Sequence, residues 1–118
     1  MMLRASSQVT QQDYRLEAIA TGEGEASGIP LGAELVAFAE AIYSRVPDEI
    51  AVARKALLAA SDERVVVDAA GVAANFHRMT RVADASGIPM DERWVEESEP
   101  VRESLGINEF GSAKNTFG

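Results

Sequence analysis

The feature that most constrains this chain is an apolar repeat near its middle. Apolar side chains recur there at steps of four and three residues for about five helical turns; they are Val65, Ala69, Val72, Phe76, Met79 and Ala83. A strand places every second side chain on one face and does not hold this period. We therefore predict one long α-helix over about residues 62–86, with this stripe facing the domain core. The run RVVVDAAG leaves an α/β fold as a weaker alternative.

The remaining segments also favour helices, so the predicted fold is all-α, a small bundle of about four to five helices. Helical spacing or helix-end signals mark residues 11–20, 33–45 and 47–60, a short helix after Asp91, and a separate last turn or two after Pro100. Pro47 suits the first turn of its helix, where a missing N–H has no cost. Ser61 or Asp62 can cap the long helix, and Gly87 can end it.

Composition divides the chain into three parts. Residues 1–32 are predicted to be an N-terminal arm and a glycine-rich loop, residues 33–106 a helical domain, and residues 107–118 an irregular C-terminal tail. The tail contains Phe110 and Phe117, which are free to dock on a partner or to move.

Charge and residue usage exclude several classes of function. The net charge of -8 argues against nucleic acid and anionic membranes, which select clustered Lys and Arg. Without cysteine there is no thiolate nucleophile and no sulfur-ligated zinc, and one histidine cannot form a multi-histidine metal site. No cofactor or metal is predicted. The first residues lack the apolar stretch of a signal peptide and no run is long enough to cross a bilayer, so a cytoplasmic location is expected.

The side of the long helix next to the stripe carries small and polar residues. They are Ala70, Ala73, His77, Arg81 and Asp84. Alanines let another helix approach closely, and Arg81 and Asp84 are spaced to pair. Three interpretations stay open for this side: an ordinary surface ion pair, burial in an oligomer interface, or a catalytic site. The weak catalytic candidates are His77, Arg81 and Asn75. His77 has the right chemistry for a general base, although a structural histidine is commoner.

The order of helices and residues also suggests a family. An Asn-Phe pair, an Arg-x-Ala-Asp group and a Gly-x-Pro turn follow one another here as Asn75, Phe76, Arg81, Ala83, Asp84, Gly87 and Pro89. This pattern, after a helical hairpin, resembles the C-terminal part of alkylhydroperoxidase D-like proteins of the carboxymuconolactone decarboxylase superfamily. The resemblance covers about residues 35–91. It implies an all-helical fold and assembly into dimers, trimers or hexamers.

The chain departs from the peroxidase members of that family at the reactive centre. Those members use a Cys-x-x-Cys helix with neighbouring Glu and His, upstream of the segment matched here, and this chain has no cysteine. Because Ser and Thr cannot cycle between oxidation states, a stand-alone hydroperoxidase is excluded. No catalytic residue is carried over from the resemblance, and none of the decarboxylase members' site residues is matched either.

Three functions remain as expectations. The first is a non-redox helical subunit that acts through oligomeric assembly, as a homo-oligomer or as the complement of a cysteine-bearing partner chain. The second is a small-molecule acid–base enzyme of the decarboxylase or isomerase type, with an intersubunit pocket at His77 and Arg81, where Arg81 binds a substrate carboxylate. The third is a binding module that uses the acidic surface and the aromatic tail.

Overall fold

The computed structural model describes residues 14–115, and over that range every regular element is a helix. The five α-helices are α1 (Leu16–Ala20), α2 (Gly32–Ser44), α3 (Pro47–Ala60), α4 (Glu63–Ser86) and α5 (Glu92–Ser104). Three 3₁₀ turns span Gly24–Ser27, Ile107–Glu109 and Gly111–Asn115. The predicted all-α class, with four to five helices, is confirmed over these residues. The helix predicted over residues 11–20 begins at Leu16, and its first three positions lie outside the described residues.

The described residues form two compact units. Residues up to Asn75 make up the first unit and residues from Phe76 onward make up the second, so the boundary lies inside α4. The sequence predicted one helical domain over residues 33–106 and did not anticipate this division. Among residues 14–115, no helix is both long enough and apolar enough to cross a membrane.

Local chemistry sets the ends of the principal helices as the sequence predicts. Pro47 occupies the first turn of α3. The Asp62 carboxylate accepts a hydrogen bond of 3.0 Å from the Val65 N–H and so caps α4. At the other end of α4, Gly87 is left-handed with φ 63°, and the Ile88 N–H donates back to the Ala83 carbonyl. This is the Schellman arrangement, in which glycine allows the chain to turn out of the helix.

The core of the first unit lies between α2 and α3. Phe38 and Ala41 from α2 pack with Ala53 and Leu57 from α3, and Leu57 is 0% exposed. Fully burying one such leucine contributes roughly 1.5–3 kcal/mol. The first half of α4 packs against this cluster only partly, through four residues: Val65, Val66, Ala69 and Ala70.

The apolar stripe of α4 is covered less than the sequence predicted. None of the 24 residues of α4 is buried. Val72 in the first unit is 57% exposed, and Phe76 and Met79 in the second unit are 54% and 50% exposed. The expectation that the whole stripe faces the core is therefore wrong for these three residues. The α2–α3 core is small, and the α4 residues that pack against it end at Ala70.

The glycine-rich segment before α2 is more ordered than its composition suggests. Residues 24–27 form a 3₁₀ turn in which the fully buried Ser27 hydroxyl donates to the Gly24 carbonyl. Ser27 Oγ in turn accepts from the Ile29 N–H at 3.2 Å. Gly24 and Gly32 approach so closely that a Cβ on Gly24 would lie 2.2 Å from the Gly32 carbonyl oxygen. Glycine is therefore needed here for close contact between backbones.

The C-terminal helix corrects a second prediction. Asp91 caps α5 as expected, but the helix does not restart at Pro100: it continues through that residue to Ser104. A proline inside a helix removes one backbone hydrogen bond and strains the preceding turn. Next to that turn, the buried Arg102 guanidinium donates to the Val95 carbonyl at 2.8 Å, and Ser98 Oγ donates to the same oxygen at 3.4 Å. These side chains bond the carbonyl next to that of Glu96, which is the one that loses its helical partner at Pro100.

The expected irregular tail is partly ordered. Two 3₁₀ turns follow α5, and Phe110 between them is 65% exposed. Phe117 lies outside the described residues.

Two glycine substitutions should have opposite effects on stability. Gly24→Ala forces the Gly24 and Gly32 backbones apart and should lower the free energy of unfolding by about 2 kcal/mol or more. A Cβ added at Gly71, inside α4, would meet no atom within 4 Å apart from the adjacent residues and backbone of its own helix. Gly71→Ala should raise the free energy of unfolding by about 1 kcal/mol, because alanine is the better helix former. Urea denaturation followed by circular dichroism measures both; equal changes would contradict the close contact at Gly24.

Arg45 offers a second site for stabilisation. It follows α2 in the left-handed region with φ 59°, and its side chain is exposed. Relieving a left-handed non-glycine residue recovers about 1–2 kcal/mol, of which the added flexibility of glycine in the unfolded chain offsets about half. Arg45→Gly should therefore raise the free energy of unfolding by about 0.5–1 kcal/mol. Leu31 has the same φ but is partly buried. Leu31→Gly should show a smaller gain or a loss, and equal gains would contradict this account.

Candidate functional site

The first unit contains an apolar groove between α2 and α4, here called the α2–α4 groove. Its volume is about 470 Å³. The lining residues are Leu35, Phe38 and Ala39 from α2 and Val65, Asp68, Ala69, Val72 and Ala73 from α4. It exists because the α4 stripe begins on the core at Val65 and is left open farther along, at Val72. An exposed apolar groove of this kind is typical of a site that binds another apolar surface.

Asp68 is the one charged residue in the lining of this groove. It is exposed, and no described residue donates a hydrogen bond to it or forms an ion pair with it. A carboxylate in this position gives an otherwise apolar groove a negative edge. It favours an occupant that brings positive charge alongside apolar side chains.

The second unit begins with residues 76–86 of α4, here called the distal segment. Its large apolar residues Phe76, Met79 and Val82 are all half exposed or more. Its charges are two arginines, Arg78 and Arg81, against one aspartate, Asp84. In a chain with a net charge of -8, this segment is locally positive. The combination of exposed apolar residues and arginine is typical of surfaces that bind other proteins.

His77 and Arg81 lie together in the distal segment. Arg81 Nε donates to His77 Nε2 at 3.4 Å across one helical turn. His77 is partly buried and Arg81 is exposed. The pairing of Arg81 with Asp84, for which their spacing is suited, does not occur in the part of the chain that the structure describes. The guanidinium instead lies against the imidazole, leaving the Asp84 carboxylate to solvent.

The other residues singled out from the sequence have different surroundings. Ala70 packs partly buried against the core of the first unit, so the chain itself covers part of the surface expected to meet another subunit. Ala73 lines the α2–α4 groove. Asn75 is exposed. The groove is not evident from the sequence, although apolar spacing marks several residues that line it: Leu35 and Phe38 on α2, and Val65, Ala69 and Val72 on α4.

A second open groove lies between α2 and α3, with a volume of about 600 Å³. Its acidic lining residues are Glu40, Asp48 and Glu49, and the rest are alanines, Ser44 and Val52. These carboxylates do not converge: within residues 14–115, no group of three His, Asp or Glu side chains is placed to hold a metal ion. The first turn of α3 explains Asp48 and Glu49, because acidic residues there complement the helix dipole.

Comparisons with known proteins add no relative to this description. No family model, no curated protein and no solved structure matches the chain.

Proposed function

We propose that this chain is a non-redox helical subunit that acts by assembling with another helical surface through α4. The observation that carries this proposal is the exposure of α4, which has no buried residue over 24 positions and whose stripe is half exposed at Val72, Phe76 and Met79. A helix with an apolar stripe requires a second apolar surface to cover it.

The free energy available from covering this stripe is substantial. Burying one large apolar side chain completely contributes roughly 1.5–3 kcal/mol, and here three such residues are half exposed. Covering them, with the open groove beside Val72, provides on the order of several kcal/mol toward association. Part of this offsets the loss of translational and rotational freedom.

The proposed partner is a second copy of this chain or a cysteine-bearing chain of the alkylhydroperoxidase D-like family, in the cytoplasm. The resemblance over residues 35–91 supports the link to that family, and the absence of cysteine restricts this chain to a supporting role in any thiol chemistry. Reactive thiols in such a complex come from the partner chain.

A charge placed on the stripe should disrupt assembly, whereas the same charge elsewhere on α4 should not. We expect Phe76→Glu to convert an oligomer into monomers, because burying an unpaired carboxylate is costly. Val67 is 69% exposed and lies on the opposite side of α4 from the stripe. Val67→Glu is the matched control and should leave the oligomer intact. Size-exclusion chromatography with light scattering measures both. A monomeric wild-type protein at tens of micromolar would refute homo-oligomeric assembly.

The contact between His77 and Arg81 supports a second candidate, an acid–base enzyme acting on a small carboxylate. A guanidinium next to an imidazole places a carboxylate-binding group beside a potential general base. In this proposal Arg81 binds the substrate carboxylate, His77 transfers the proton, and a neighbouring subunit completes the pocket.

Because His77 is the sole histidine, its ring gives one clear set of NMR signals. If Arg81 binds carboxylates, adding benzoate at constant pH should move the His77 Cε1–H resonance in a saturable manner. Benzamide, which lacks the charge, should not move it, and Arg81→Gln should abolish the benzoate effect. A resonance that stays in place up to high millimolar benzoate would remove the enzyme candidate and leave the assembly proposal untouched.

A further inference from the structure

We infer that α4 pairs with α4 of a second copy in antiparallel orientation, so that the distal segment of each copy occupies the α2–α4 groove of the other. This inference rests on the proposed function, which makes α4 the assembly helix. It specifies the partner, the relative direction of the two α4 helices and the register in which they pair.

The spacing of the stripe is that of an antiparallel coiled coil. Steps of four and three place its six residues alternately at the two core positions of a heptad. In an antiparallel pair, each residue of one core type packs level with a residue of the other type. One register satisfies this for the whole stripe, and it joins Val65 with Ala83, Ala69 with Met79, and Val72 with Phe76 across the interface.

Other registers lose apolar contacts. Sliding one helix by a heptad leaves two stripe residues of each copy without a partner layer, because the stripe is less than three heptads long. The favoured register also covers what each copy leaves open. Phe76 and Met79 of one copy come to lie over the stretch of α4 from Ala69 to Val72 in the other, which is one wall of the groove.

The helix dipoles and the open groove favour the antiparallel direction. Antiparallel helices place the positive end of one helix dipole beside the negative end of the other. They also bring the half-exposed Phe76 and Met79 of each copy to the α2–α4 groove of the other. A parallel pair would instead place Phe76 beside Phe76 and the two Asp68 carboxylates at the same level.

The absence of cysteine makes a cross-linking test straightforward. Ala69→Cys and Met79→Cys are prepared as separate proteins, one with a longer tag, then mixed and oxidised in air. In the inferred register these two positions form one layer, within the distance that a disulfide spans. Non-reducing electrophoresis should show the mixed cross-linked species in most of the material. Each protein alone should cross-link at least several-fold less.

The matched control pair is Val67→Cys with Arg81→Cys. These positions lie at the same level along the paired helices but face away from the stripe, so the mixture should not cross-link. Circular dichroism of each variant checks that α4 remains folded. Self-cross-linking of Ala69→Cys would establish a parallel pair and overturn the inference. An oligomer by light scattering without the mixed cross-link would overturn the register alone, whereas a monomer would refute the proposed function as well.

Discussion

The constraint on which this structure depends is that a helix with one apolar stripe must have that stripe covered. In the first unit, α2 and α3 cover each other's apolar faces, since Phe38 and Leu57 are buried between them. The start of α4 packs against the same core through Val65 and Ala69. Farther along α4 the stripe continues while the core does not, and Val72 is left mostly open. The core of the first unit therefore leaves part of the apolar stripe of α4 exposed.

Close backbone contacts and hydrogen bonds from side chains to the backbone stabilise the local structure of both units. Gly24 and Gly32 let the segment before α2 pack closely, and the buried Ser27 hydroxyl satisfies backbone groups that water does not reach. In the second unit, Arg102 performs a similar task, because its guanidinium donates to a backbone carbonyl next to the turn strained by Pro100. Both are polar contacts of buried side chains with nearby backbone, which stabilise a local conformation that hydrophobic burial alone does not specify.

The proposed assembly through α4 and the proposed reaction centre make different use of the same charged residues. Arg81 contacts His77, and Asp68 stands at the edge of an apolar groove in the first unit. Carboxylates line the second groove without converging on a metal-sized site among the described residues. An interface uses such scattered charges to choose orientation, whereas catalysis needs them concentrated on one reacting atom.

The sequence by itself determined the helices, because their signals are local. The four–three spacing marks α4, Pro47 and Asp62 mark helix starts, and Gly87 marks an end. Local signals failed at Pro100, where the helix continues through the proline to Ser104, and at residues 24–27, where a glycine-rich run folds against Gly32. Only the tertiary structure decided which stripe residues are covered. Apolar periodicity shows that a face must be buried, but how far the core extends along it depends on the lengths and packing of α2 and α3.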